Sequence, residues 1–231
     1  MAAQMIQFQR PDGAHVSGYL AQADQPLGAV VVIQEWWGLN DQIRGVAGRF
    51  ASAGFTALVP DLYRGKSTVE EEEANHLKSD LDFADAASQD IRGALQHLKG
   101  LKAGGKVGIT GYCMGGALTW LAAQQSPEAD AAVVWYGMPP VKAIDAARLK
   151  LPVQAHWAEQ DEFFAIDQVD ALEAQLQAAG VRYEGHRYLA RHAFANETAQ
   201  GPGRIAKTQY DAAWAQQAWD RAMRFFGQHL G

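Results

Sequence analysis

The 231 residues contain a single cysteine, Cys113. That count excludes an intramolecular disulfide framework and any cysteine-cluster zinc or iron–sulfur site. No stretch stays apolar for the eighteen or more residues a membrane span requires, and residues 1–11 lack the basic region, apolar run and cleavage site of a secretory signal. Positive charge is also scarce: 20 Lys and Arg stand against 26 Asp and Glu, a formal charge of -6. Without a basic face to neutralise phosphates, nucleic acid is not an expected partner. There is no internal repeat, and no histidine–carboxylate group has metal-ligand spacing. These absences point to a cytoplasmic globular protein, without a metal or cofactor, whose lone thiol stays reduced. No motif sets the oligomeric state, and a monomer suffices.

At 48% hydrophobic and 20% charged, the chain can bury a sizeable core, and its length fits one domain over residues 1–231. Short β-rich runs alternate with helical ones. Residues 5–8 and 16–20 flank Pro11-Asp12-Gly13 as a hairpin or two early edge strands would. Residues 29–34, AVVVIQ, form a continuous apolar run, expected of a strand covered on both faces. Helical spacing follows over 41–53, closed by Gly54, and then a short strand over 56–59 stopped by Pro60. Residues 65–84, with the acidic run Glu70–Glu73, read as a solvated helix or loop. Beyond it the alternation continues: helix 91–98, strand 106–110, helix 114–123, strand 131–136, strand 153–157, helix 169–178 and strand 183–188. A last helix is predicted over 209–226, with Tyr210, Trp214, Met223 and Phe226 on its buried side. The pattern predicts an α/β fold with a mostly parallel central sheet, helices on both faces, and reactive groups at the carboxyl ends of strands.

Gly111-Tyr112-Cys113-Met114-Gly115-Gly116 stands directly after a predicted strand and before a predicted helix. Free cysteines are ordinarily small buried hydrophobes. Here the flanking glycines and the strand–turn–helix context have the form of a nucleophile elbow, with cysteine in place of serine. A thiol nucleophile needs a base, and the base an orienting acid. In the chain order nucleophile, acid, histidine, Asp161 follows the strand over 153–157, and His192 follows the strand over 183–188. Glu159, Glu162 and Asp167 compete for the acid role but read as surface groups. Among the seven histidines, His15, His76 and His97 precede Cys113, His229 lies at the last helix end, and His156 and His186 fall inside strands. His192 alone occupies a loop past a late strand.

Gln34-Glu35-Trp36-Trp37-Gly38-Leu39-Asn40, Pro60-Asp61-Leu62-Tyr63, the elbow, Asp161 and His192-Ala193-Phe194 together closely resemble the dienelactone hydrolase (carboxymethylenebutenolidase) family. The resemblance implies an α/β-hydrolase fold and a cofactor-free Cys–His–Asp triad that hydrolyses a small-molecule ester or lactone through an acyl-thioester. It also implies that Glu35 contacts the resting thiol and shifts when substrate arrives; by itself the sequence shows only a carboxylate after an apolar strand. The backbone N–H groups of Trp36 and Met114 are the expected oxyanion donors. The sequence departs from the family where arginines would hold a substrate carboxylate: it has Glu70-Glu71-Glu72-Glu73-Ala74-Asn75-His76 before the middle helix and Asn196 after the histidine, with Arg64 and Arg191 as nearby replacement candidates. A neutral or bulkier ester is therefore expected to outperform dienelactone. Trp36, Trp37, Tyr63, Tyr136, Phe163 and Phe194 are candidates for an apolar pocket, or for ordinary core packing. Two other classes fit the same residues: a non-catalytic ligand-binding or redox-sensing protein, and an acyltransferase.

Overall fold

The computed structural model describes residues 2–101 and 105–231. Eight strands form one sheet in the order β1-β2-β4-β3-β5-β6-β7-β8. Strands β1 (Ala2–Gln9) and β2 (His15–Gln22) pair antiparallel, and β2 pairs antiparallel with β4 (Phe55–Pro60). The rest, β3 (Gly28–Ile33), β5 (Val107–Tyr112), β6 (Ala131–Trp135), β7 (Val153–Ala158) and β8 (Tyr183–Tyr188), are parallel to β4 and to one another.

The central strands are apolar throughout because both faces are covered. Along β3, Ala29, Val31 and Ile33 enter one core and Val30 and Val32 the other, the period of two that a pleated strand dictates. The first core takes Leu95 and Leu98 of α4 (Arg92–Gly100), Leu118 and Trp120 of α5 (Met114–Ala123), and Leu172 and Leu176 of α6 (Ile166–Ala178). The second takes Ile43, Val46 and Phe50 of α1 (Asp41–Ser52), and Phe226 and Leu230 of α7 (Ala212–Leu230).

The predicted α/β architecture stands, with one alternative resolved and two local corrections. The acidic segment forms α2 (Glu71–Asp80), exposed except at Ala74 and Leu77. The helix expected over 91–98 continues upstream through a π-helical turn at Ala86–Ile91 to the short α3 (Phe83–Asp85). The last helix starts at Ala212, because Asp211 caps it by accepting from the Trp214 N–H. Tyr210 therefore precedes the helix, and the fully buried side is built from Ala215, Ala218, Ala222, Phe225, Phe226 and Leu230, with Trp214 and Met223 half-buried.

Candidate active site

Four strand ends converge. β5 delivers Cys113 at its carboxyl end, β3 delivers Glu35 and Trp36, the loop after β7 carries Asp161, and the loop after β8 carries His192. Cys113 sits between strand and helix at φ 53°, ψ -116°, a conformation that L-residues hold only where surrounding structure enforces it, at a cost on the order of 1–3 kcal/mol. Glycine makes the turn possible by close approach: a Cβ on Gly115 would lie 2.5 Å from the Ile33 carbonyl oxygen, and one on Gly137 would strike the Cys113 carbonyl. Of the four non-glycine residues with positive φ among those described, Cys113, Tyr136 and Ala193 are all at this site.

His192 Nδ1 lies 2.7 Å from Asp161 Oδ2, and both side chains are nearly inaccessible. The other carboxylate oxygen, Oδ1, accepts the N–H groups of Phe163 (2.8 Å) and Phe164 (3.0 Å), which fixes Asp161 to its own loop. An acid so held donates nothing, so Nδ1 carries the proton and the Nε2 side is free for the thiol. Burial works to lower the basicity of His192, but the electrostatic pull of Cys113 and the hydrogen bond to Asp161 outweigh it and push the imidazole up to about 10. Three rings pack around the imidazole, those of Tyr136, Phe163 and Phe164.

Glu35 is buried at the floor of the site, and other groups engage both of its oxygens: Oε1 accepts from the Tyr136 hydroxyl at 3.1 Å and Oε2 from Asn196 Nδ2 at 2.8 Å. Burial raises its carboxyl above the ordinary range, against the lowering pull of the His192 charge and these two hydrogen bonds. The N–H groups of Trp36 and Met114 meet no acceptor among the described residues, and Met114 is the first residue of α5. Two unpaired amides, one at a helix N-terminus, beside a thiol can receive a developing oxyanion.

A cleft of about 1260 Å³ opens over these groups, lined by Glu35, Trp36, Trp37, Cys113, Met114, Phe163 and His192. Tyr63, Tyr136 and Phe194 do not line it; all three are buried beneath it, because their hydroxyls or rings complete the packing under the strand ends. Tyr63 donates to the Met114 sulfur at 3.2 Å, and Phe194 packs on Tyr136 and Tyr188. Neither candidate replacement arginine reaches the cleft: Arg64 is engaged by buried Asp90 and the Asp61 carbonyl, and Arg191 by the Ala206 carbonyl. Two further walls complete the cleft. One is the start of α2, with Val69, Glu70, Glu71, Glu72, Asn75 and Lys78; the other is the irregular segment carrying Thr198, Arg204 and Thr208. The first is the segment where the resemblance would put a substrate clamp, although its charge run reads as solvent-facing; the second escaped the sequence because it has no periodicity to read. No group of three or more His, Cys, Asp or Glu side chains among the described residues is placed to hold a metal ion, and no helix of the described residues is long and apolar enough to cross a membrane.

Known proteins share this sequence pattern and fold. The dienelactone hydrolase family profile matches residues 16–230. Protein usf of Aquifex pyrophilus is 34% identical over 236 residues, covering 98% of this chain and 99% of its own. A protein of Aquifex aeolicus that bears a carboxymethylenebutenolidase name is 31% identical over the same shares. Among solved structures, one from Klebsiella pneumoniae described as a dienelactone hydrolase superposes with a TM-score of 0.83 at 27% identity, covering 99% of this chain and 100% of that one. A dienelactone hydrolase-like phosphotriesterase from metagenomic libraries, at 24% identity, shares the fold with a TM-score of 0.85 over the whole of both chains. The chain thus belongs to the dienelactone hydrolase family, carboxylic ester hydrolases of α/β-hydrolase fold.

Proposed function

We propose that the protein hydrolyses neutral esters or lactones in the cytoplasm through an acyl-thioester on Cys113. The observation that carries this reading is the imidazole of His192, held by Asp161 at 2.7 Å in the cleft that the strained Cys113 also lines, beside two unpaired amides. In the first half-reaction the Cys113 thiol passes its proton to His192 Nε2 and the sulfur adds to the carbonyl carbon, while the Trp36 and Met114 N–H groups take the oxyanion. The carbon–oxygen bond then breaks, and His192 gives its Nε2 proton to the leaving alcohol or enol. In the second, His192 takes a proton from water, the hydroxide adds to the thioester carbonyl, and the thiolate leaves with the acid released.

The cleft supports a neutral substrate. It is lined by five carboxylates, Glu35, Asp41, Glu70, Glu71 and Glu72, against Lys78, Arg204 and the imidazole of His192, which Asp161 already engages. Arg204 Nη1 is already shared among the carbonyls of Ile205, Ala206 and Thr208. A carboxylated lactone would enter against like charge and without a bidentate clamp. The test is a panel of neutral aryl esters against dienelactone, with the acyl-enzyme trapped and located by mass. The expected result is an acyl group on Cys113, higher kcat/KM on neutral esters, and hydrolysis abolished in a folded Cys113→Ala variant. Full activity of Cys113→Ala overturns the nucleophile assignment, and a markedly higher kcat/KM on dienelactone overturns the substrate preference.

A further inference from the structure

A buried carboxylate one strand away from a nucleophilic thiol is an electrostatic problem. Ile33 of β3 pairs with Gly111 of β5, so Glu35 and Cys113 follow the ends of neighbouring strands, and both line the cleft. A carboxylate free to turn toward the thiol would hydrogen-bond it and oppose its ionisation by like charge.

Glu35 is not free to turn. Asn196 Oδ1 accepts both the backbone N–H of Thr198 at 2.9 Å and its hydroxyl at 2.7 Å. With the amide oxygen committed, the amide nitrogen has to face Glu35, and it donates to Oε2. On the other side, Tyr136 presents its hydroxyl to Oε1 from a positive-φ residue at the end of β6, its ring edge against His192. Asn196 is 2% exposed and Tyr136 is fully buried, so water does not replace either donor at low cost. The remaining ionisable groups that act on Glu35 are His192, which favours its charge, and Glu197, which opposes it; Glu35 in turn acts on Tyr112 and Tyr136.

We propose that Asn196 and Tyr136 are positioning residues that pin the Glu35 carboxylate away from Cys113, so that the nucleophile is available before substrate arrives. This rests on the reading of Cys113 as the nucleophile. It differs from the resting state that the family resemblance implies, in which the glutamate holds the thiol until substrate displaces it. Neither residue touches the reacting atoms; each acts through Glu35.

Alkylation of Cys113 by iodoacetamide at pH 7 without substrate, followed by intact mass, reads this directly. Asn196→Ala releases one oxygen of Glu35 and is expected to slow alkylation about tenfold, the scale of one charged hydrogen bond. Tyr136→Phe, which removes a single hydroxyl, tests the same clamp if Asn196→Ala does not fold, and slows alkylation in the same direction. Glu35→Gln keeps both contacts, its amide oxygen accepting from Asn196 and its NH₂ donating to the Tyr136 oxygen, and it alkylates within a few-fold of wild type. Asn196→Ala combined with Glu35→Gln returns to the wild-type rate, which a merely structural role for Asn196 would not produce.

The clamp is overturned if Glu35→Gln alone accelerates alkylation tenfold or more, because the native carboxylate is then suppressing the thiol. It is also overturned if folded Asn196→Ala and Tyr136→Phe both alkylate at the wild-type rate. Ester hydrolysis by the same variants keeps the two readings apart. Hydrolysis lost in Cys113→Ala with alkylation accelerated in Glu35→Gln removes the clamp and leaves the nucleophile. Hydrolysis retained in Cys113→Ala removes the nucleophile itself.

Discussion

Two buried histidines of this protein, His156 on β7 and His192 in the loop after β8, are driven in opposite directions. Burial pulls both down. At His156 nothing answers it: the nearby charges of His186 and Arg221 are positive, and the imidazole stays neutral well below its ordinary range. Its hydrogen bonding agrees. Arg221 donates to the Tyr188 oxygen at 3.0 Å, so the Tyr188 proton is directed to His156 Nδ1 at 2.8 Å, and Nε2 has no partner among the described residues. At His192 the partners are a fixed carboxylate and a thiol, and the same burial strengthens their attraction instead of isolating the ring. A histidine's depth says little about its chemistry; the sign of the charge sharing the low-dielectric space decides it.

The largest effect that tests this contrast is catalytic. Asp161→Asn leaves His192 in place but removes the acceptor that fixes its tautomer, and kcat on a neutral aryl ester is expected to fall by about 10⁴. His156→Phe, in a site already walled by Trp135 and Tyr188, should leave kcat/KM within about threefold, since it touches no reacting group. An equal loss in both variants would erase the distinction.

The next effect lies in the pH dependence of stability, where the two residues act with opposite sign. Below the ordinary histidine range the unfolded chain protonates position 156 and the folded protein does not. The stability that His156 contributes is therefore present above about pH 6.5 and lost as pH falls, by up to ~1.4 kcal/mol per pH unit for one proton. His192 does the reverse: its folded imidazole is raised, so its contribution is complete below about pH 6.5 and is lost as pH rises through about 10. Urea titrations across pH should show the acid limb flattened in His156→Phe and the alkaline limb flattened in Cys113→Ala. Interchanged limbs would reverse the assignment. The smallest effect is that of Tyr188→Phe, which strips His156 Nδ1 of its donor and should cost about 1 kcal/mol at pH 7 with kcat unchanged.

Much of the site was legible because it is local. The elbow occupies six consecutive residues, and its requirements are met by short-range geometry: an apolar strand before it, a helix after it, and glycines where backbones touch. Asp161 and His192 were found by chain order and by the rule that parallel strands present function at their carboxyl ends. The limits have equally specific causes. Aromatic residues near strand ends read alike whether they face the cleft or the core, so of the six, Trp36, Trp37 and Phe163 line the cleft while Tyr63, Tyr136 and Phe194 are buried in the packing beneath it. The acidic run looked solvated because its two buried anchors, Ala74 and Leu77, are too few to show a helical period, yet the start of that helix is a wall of the cleft.

The sequence by itself determined the order of strands and helices, the strand-to-helix turn at Cys113, and the family, because each depends on spacing along the chain. Only the tertiary structure decided what holds Glu35. Its two partners lie 101 and 161 residues away, at Tyr136 and Asn196, and no periodicity couples positions so distant. They meet because parallel pairing aligns the ends of β3, β5 and β6, and because the loop after β8 folds back over them. A carboxylate buried there needs donors within hydrogen-bond reach, and the packed fold alone supplies them.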